Sequence, residues 1–252
     1  MKSCAKRCWR RWSKAARQRV SKLAKVVVRA ATFLFIAVCS ELEGRVKILV
    51  IETCGEVGSV ALGEGTAISE TLQARGASSA LLPAVGRLLK AKGWALGDLD
   101  ELGVVNGPGS FSGMRVGLAA AKGLSEAAGL RLVGISRLAV LADVAGLVDG
   151  CAVLDGGRGE FYVRVVGAGK LAREVLLNLD DLRGVGGRVV IAEERLSETL
   201  AEFRPEWFGV GAEQALPLML REGGGDAALV DANYVRGEGD IYGKTTARGE
   251  PA

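Results

Sequence analysis

No histidine occurs among the 252 residues of the chain. Imidazole ligands for zinc or iron, the Ser-His-Asp triad and Cys-His chemistry are all excluded at once. Catalysis, if present, would rest on carboxylates, lysines, a lone thiol or a borrowed partner. Aromatic residues are scarce at 5%, whereas glycine reaches 36 residues. That balance predicts an aliphatic core with many tight turns. The five cysteines, Cys4, Cys8, Cys39, Cys54 and Cys151, lack the spacing of a disulfide framework. They fit a reducing compartment, and the expected location is cytoplasmic. Cys54 and Cys151 read as small core residues rather than nucleophiles.

What is present begins with charge, and it is unevenly placed. Residues 1–45 carry 12 Lys/Arg against two acids, Glu41 and Glu43, hence 12 − 2 = +10. The whole chain is +4, so residues 46–252 carry 4 − 10 = −6. A mildly acidic body does not have the electrostatic footprint of a nucleic-acid binder.

The basic stretch runs into an apolar segment from Ala30 to Cys39, shorter than the roughly 20 residues a spanning helix needs. Three readings stay open. The stretch has the order of a signal peptide with an overlong basic region. It also has the make-up of a basic amphipathic helix on an anionic membrane surface. The third is a mis-called start, with the folded chain opening at Val46-Lys47-Ile48-Leu49-Val50. The last is the expectation adopted, and no membrane partner is expected.

From Val46 the pattern changes to short elements. Lys47 to Thr53 is a β-branched run ended by Cys54-Gly55, suited to a buried central strand. Ser59 to Leu62 and Ala67 to Leu72 follow across short glycine turns, predicting an antiparallel meander. Leu81, Leu82, Val85, Leu88 and Leu89 form one apolar stripe. That predicts a helix capped by Ser78 or Ser79, with Pro83 in its first turn and Lys90, Lys92 and Gly93 at its end. Then come a strand at Leu102 to Val105, a helix from about Phe111 to Ala128, a strand at Leu130 to Ile135, and a helix capped by Ser136 running to about Ala145. The order β-β-β-α-β-α-β-α predicts a ribonuclease H-like unit. The expected fold is α/β, actin/sugar-kinase-like and two-lobed, with mixed sheets flanked by helices.

A second unit is expected from Asp149. It holds a hairpin of Cys151–Leu154 with Glu160–Val166, weaker strands at Arg188–Ile191 and Phe208–Gly211, and helices near Arg195–Glu202 and Leu216–Glu222. The expected divisions are an extension at 1–45, domains at 46–148 and 149–240, and a tail at 241–252. No internal repeat is visible.

The most informative segment is Asn106 to Lys122, NGPGSFSGMRVGLAAAK. Gly107, Gly109 and Gly113 sit where a strand passes into a helix, with Ser110 and Ser112 as capping hydroxyls. Such a junction can cradle an anion, and can equally be a tight turn before a buried helix. The glycine spacing matches neither a dinucleotide fingerprint nor a Walker loop. Within the helix, Gly113, Gly117 and Ala121 recur every four residues as a smooth strip. It serves either packing on the chain's own sheet or a subunit interface, and the interface is the expectation carried forward. Asp155 and Glu160 flank a glycine-rich turn that could hold a cation or, more simply, be a solvated hairpin.

Residues 107–117, GPGSFSGMRVG, resemble the GPGSFTGLRIG signature of the TsaB (YeaZ) family, whose members serve tRNA threonylcarbamoyladenosine biosynthesis. Ser78-(x2)-Leu81-Leu82-Pro83 resembles the family's HSxxLLP helix, and Ile48 to Leu62 its ILxIDTS strand followed by SVAL. Lys122-Gly123-Leu124, Gly134-Ile135-Ser136-(x)-Leu138, Asp155 to Tyr162 and Tyr234-Val235-Arg236 agree as well. The likeness runs from Val46 to about Arg236. It implies a non-catalytic subunit of the complex that forms N6-threonylcarbamoyladenosine at position 37 of tRNAs reading codons that begin with A. The implied partners are a TsaD-like catalytic subunit and a TsaE-like ATPase, with tRNA met indirectly and a homodimer open as a further state. The implied interface comprises Ser78, Leu81, Leu82, Val85, Gly113, Arg115, Gly117 and Ala121. A vestigial phosphate loop would comprise Glu52, Thr53, Gly107, Gly109 and Ser110. No intrinsic cofactor or metal is implied, and ATP or ADP would sit at the complex junction.

Three departures bear on chemistry. The family's Asp-Thr-Ser is Glu52-Thr53-Cys54, the His before Ser78 is Ala77, and the family's Thr is Ser112. In ATP-using relatives the first Asp orients metal and phosphates, so the longer Glu52 argues against independent hydrolysis. The competing functions are an independent ATPase, kinase or peptidase of the same superfamily, and a membrane-anchored binding protein driven by residues 1–39.

Overall fold

The computed structural model describes residues 46–64, 66–73, 76–167, 172–222 and 229–235. Readings made on residues 1–45, on Arg236 and on the tail at 241–252 lie outside them.

Ten strands and six helices alternate along the described residues. Strands β1 (Ile48–Glu52), β2 (Gly58–Glu64) and β3 (Thr66–Leu72) form the meander. Helix α1 (Ala77–Lys92), β4 (Glu101–Val105), α2 (Phe111–Ala128), β5 (Arg131–Ile135) and α3 (Arg137–Val144) follow. The second half contains β6 (Gly150–Gly157), β7 (Glu160–Val166), β8 (Arg173–Asn178), α4 (Leu179–Arg183), β9 (Arg188–Ile191), α5 (Leu196–Thr199), β10 (Glu206–Trp207) and α6 (Ala212–Glu222).

The first sheet has the order β3-β2-β1-β4-β5, and the second β10-β9-β6-β7-β8. In the first, β1 pairs antiparallel with β2 and parallel with β4. In the second, β6 pairs antiparallel with β7 and parallel with β9. Read from β8 to β10, the second sheet therefore repeats the topology of the first. The sequence carries no visible repeat, because pairing order is a backbone property that many side-chain sets can satisfy. This two-lobed α/β architecture with mixed sheets is the one expected.

Burial on both faces explains the near-continuous apolar run of β1. Leu49 and Ile51 point to one side, where they pack with Leu81, Val85 and Leu88 of α1 and Leu118 and Ala121 of α2. Ile48 and Val50 point to the other, against Ala212, Ala215, Leu216 and Met219 of α6. The period-2 alternation of a strand places the two sets on opposite faces. Helix α3 packs with both sheets: Val140 joins the first sheet's core, whereas Leu138 and Leu141 pack with Ala152, Leu154 and Val190 of the second.

Several local expectations need correcting. Helix α1 is capped by Gly76 in the left-handed region (φ 87°), not by Ser78 or Ser79. The Ser79 hydroxyl instead donates to the Gly76 carbonyl. Pro83 consequently lies in the helix interior, on its exposed side. Helix α6 begins at Ala212 rather than Leu216, because the Ser59 hydroxyl on β2 accepts the Ala212 N–H at 2.9 Å. That bond, with Ser69 Oγ donating to Glu213 at 2.8 Å, fixes α6 to the first sheet although its sequence follows the second. The strand expected at Phe208–Gly211 is Glu206–Trp207, and it ends where the Phe208 N–H bonds the Ile191 carbonyl. Strand β8 was not anticipated. Its half-buried residues, with Arg173 and Glu174 at the start, do not show a strand's alternation. Among the described residues, no helix is long and apolar enough to cross a membrane.

Candidate functional site

The carboxyl ends of parallel strands, where an open sheet leaves its crevice, meet in a cleft of about 500 Å³. Its lining comes from both sheets. Thr53 to Glu56 follow β1 and Gly109, Ser110, Ser112 and Gly113 follow β4, while Asp155 lies on β6 and Glu193 and Arg195 follow β9.

Two charged side chains, Arg137 and Glu193, line the floor, and a third, Glu52, lies beneath it. Glu52 ends β1 and is 0% exposed. Its Oε1 accepts the Cys54 N–H at 2.7 Å and the Gly55 N–H at 2.8 Å. Arg137, the first residue of α3, places Nε 4.0 Å from the same oxygen. The Arg137 Nη1 meets Glu193 Oε1 at 2.6 Å, and both side chains are 6% exposed. Glu193 Oε2 in turn accepts the Asp155 N–H at 3.3 Å. Burial pushes the Glu52 carboxyl above its ordinary pKa, against the opposing pull of Arg137 and the two backbone donors. For Arg137, burial disfavours the charge, but Glu193 and Glu52 raise its pKa above the usual arginine value. Glu52 Oε2 and Arg137 Nε make no hydrogen bond among the described residues.

The glycine loop is drawn tightly onto the exit of β1. Ser110 N–H donates to the Cys54 carbonyl at 2.9 Å, and Arg137 N–H to the Gly107 carbonyl at 2.7 Å. Ser110 caps α2 as expected, its hydroxyl accepting the Gly113 N–H. At the mouth of the cleft, Arg195 of the second half reaches Glu56 of the first at 2.7 Å and also pairs with Asp155. Asp155 is thus paired with a half-exposed arginine of the same chain. Cys54 and Cys151 are buried and free, and burial raises both thiols, Cys151 to about 11. Neither has the lowered pKa of a nucleophile.

The structure divides the expected interface residues. A Cβ built on Gly113 would run into the Thr53 carbonyl oxygen, and one on Gly117 into Thr53 Oγ1. Ala121 is 0% exposed in the first sheet's core. The small-residue strip therefore packs on the chain's own β1. Leu81 and Val85 are buried in the same core. Ser78, Leu82 and Arg115 do face outward. Arg115 lies over the Phe111 ring, 4.0 Å from its centroid, and Tyr234 approaches the same ring at 5.9 Å. Leu82, Phe111 and Tyr234 are exposed large hydrophobics. Of the phosphate-loop set, Thr53, Gly109 and Ser110 line the cleft. Glu52 lies beneath it, and Gly107 is held by Arg137. Sequence reasoning missed Arg137, Glu193, Arg195 and Glu56, because nothing local to any of them announces a partner in the other sheet.

These residues do not fit a metal-bound nucleotide held through Glu52. Its side chain is 0% exposed and does not line the cleft, and its Oε1 already accepts two backbone N–H groups. Among the described residues, no group of three or more Cys, Asp or Glu is placed to hold a metal ion.

Comparison with known proteins gives a concordant picture. The family model described as TsaD, tRNA N6-adenosine threonylcarbamoyltransferase, matches residues 68–208, more than half of the chain. The tRNA threonylcarbamoyladenosine biosynthesis protein TsaB of Haemophilus influenzae is 41% identical over 80 residues, covering 31% of this chain and 34% of that protein. Its Escherichia coli counterpart is 40% identical over 80 residues, covering 31% and 35%. The match thus spans about a third of the length of these curated relatives. YeaZ from Pseudomonas aeruginosa superposes with a TM-score of 0.61 at 25% identity, covering 75% of this chain and 99% of that one. A second P. aeruginosa structure, described as similar to peptidase YEAZ, gives 0.64 at 27%, covering 76% and 100%.

Proposed function

The chain belongs to the TsaB (YeaZ) family, and from that premise we propose that it is a cytoplasmic, non-catalytic subunit of the complex that forms N6-threonylcarbamoyladenosine in tRNA. Its role is to bind and support a TsaD-like catalytic subunit. The observation that supports the non-catalytic part is the burial of Glu52, which is 0% exposed beneath the cleft with two backbone N–H groups on its Oε1. A carboxyl group buried in this way, with its pKa raised by burial, is poorly placed to orient a metal or a phosphate.

The binding part rests on the outward side of α1 and α2. Leu82, Phe111, Arg115 and Tyr234 combine apolar area, aromatic rings and an arginine, the composition that dominates binding energy at interfaces. Ser78 lies on the same helix as Leu82. A TsaE-like ATPase and tRNA enter through the assembly, and any adenine nucleotide sits at the junction between subunits. The acidic body agrees with tRNA being met indirectly.

A peptidase reading follows the description of one P. aeruginosa neighbour. It requires an activated nucleophile, yet the Ser110 hydroxyl is engaged in capping α2 and the chain has no histidine to act as its base. The test is complementation. Cells depleted of their own TsaB should regain threonylcarbamoyladenosine, read by mass spectrometry of digested tRNA, when this chain is supplied. The purified chain alone should show no ATP turnover. Failure to restore the nucleoside while the chain is folded and abundant, or steady turnover abolished by Glu52→Ala, would sink the proposal.

A further inference from the structure

The charged residues of the cleft cross it in both directions. Arg137 is tied to the first half through its own N–H, which bonds the Gly107 carbonyl at 2.7 Å, yet its guanidinium is paired with Glu193 beyond β9 at 2.6 Å. Arg195, two residues after Glu193, runs the opposite way to Glu56 at 2.7 Å. The two arginines differ in surroundings. Arg195 is 55% exposed and its ion pairs are screened by solvent. Arg137 is 6% exposed, as is Glu193, and Glu52 beside them is fully buried.

We infer that Arg137 is a built-in cation that latches the two halves of the molecule across the cleft, so that the cleft stays closed without an added metal ion. The argument is one of charge and connectivity. Two carboxylates, one from each half, face a single guanidinium in a setting where an unpaired charge is strongly disfavoured. Opening the cleft would pull Glu193 away from Arg137 and strand both. A mobile divalent ion could do the same work only reversibly, whereas a side chain anchored at both ends does it permanently. The latch stands independently of the partner proposed above.

The test uses the full chain and three variants, read by thermal melting and by hydrogen exchange at Cys54, Gly55 and Asp155. These amides donate to the latch carboxylates. Arg137→Met leaves both acids buried without their cation, and its melting temperature should fall by about 6–20 °C. The triple variant Glu52→Gln, Arg137→Met, Glu193→Gln has no charge to strand. It should melt clearly above Arg137→Met, since no charge is left buried without its partner, but with faster exchange at the three cleft amides and unchanged exchange in the sheet interiors. Glu193→Gln alone should accelerate exchange at Asp155 in the same way. The parent protein should melt at the same temperature with magnesium or with a chelator. Parent-like exchange in the folded triple variant overturns the latch. So does a triple variant as unstable as Arg137→Met, because the loss is then one of packing. A magnesium-dependent rise in the melting temperature of the parent overturns the claim that the cation is built in.

Discussion

Thr53 Oγ1 donates a hydrogen bond of 2.7 Å to the carbonyl oxygen of Gly113, joining the exit of the central strand to the first turn of α2. The contact forms only because the helix backbone lies against β1, and it does so where Gly113 and Gly117 carry no side chain. Small residues at every fourth position let a helix approach its own sheet as closely as they would let it approach a foreign helix.

The consequence is testable with Gly117→Leu. The added side chain meets Thr53 Oγ1, and overpacking of that kind costs about 1–3 kcal/mol, occasionally more. At about 2–4 °C per kcal/mol for a chain of this size, the melting temperature should drop by about 2–12 °C. Affinity for a TsaD-like partner, measured on the fraction that remains folded, should stay within a few-fold. A normal melt with lost binding would return the strip to the interface.

Phe111→Ala and Tyr234→Ala should behave in the opposite way. Both rings are half exposed and stack on each other or on Arg115, so neither supports the core. Truncating an aromatic hot spot costs about 2 kcal/mol or more in binding, which is about thirtyfold in affinity. Calorimetric titration with the partner should show that weakening alongside an almost unchanged melt. Undiminished affinity in both variants would move the docking surface elsewhere.

Glu52 supplies a pH dependence with a definite sign. Its folded-state pKa is raised, chiefly by burial. Its favourable contribution is therefore fully present below the unfolded value and is lost as pH rises through the folded one. Glu52→Gln removes this titration. The melting temperature of the variant relative to the parent should accordingly be higher at about pH 8 than at about pH 5. Parallel pH profiles would mean that Glu52 titrates alike in the folded and unfolded chain.

Ser110 gives a smaller and more local prediction. Its hydroxyl caps α2 by accepting the Gly113 N–H, and Ser110→Ala should cost about 1 kcal/mol, or about 2–4 °C. Because the cap uses the side chain while the Ser110 N–H bonds Cys54, the loop should keep its path. A melt unchanged within error would show that the cap is not limiting.

What the sequence determined by itself is whatever the chain fixes over a few residues. The alternation in β1, the stripe on α1, the caps at Ser110 and Ser136 and the hairpin of β6 with β7 follow from periodicity and turn chemistry. From their order came the ribonuclease H-like unit. Only the tertiary structure decided which face each element offers, and to what. Gly113, Gly117 and Ala121 read as a smooth strip in either role, and it took the position of Thr53 to assign them to the sheet. Helix α6 follows the second sheet in sequence and covers the first, because Ser59, more than 150 residues before it, supplies its first hydrogen bond. The ion cluster was least legible of all. Arg137 and Glu193 are 56 residues apart, and a charged pair at that separation leaves no periodic trace. It exists because the ends of β1 and β9 converge, and burial then compels any charge placed there to find its partner.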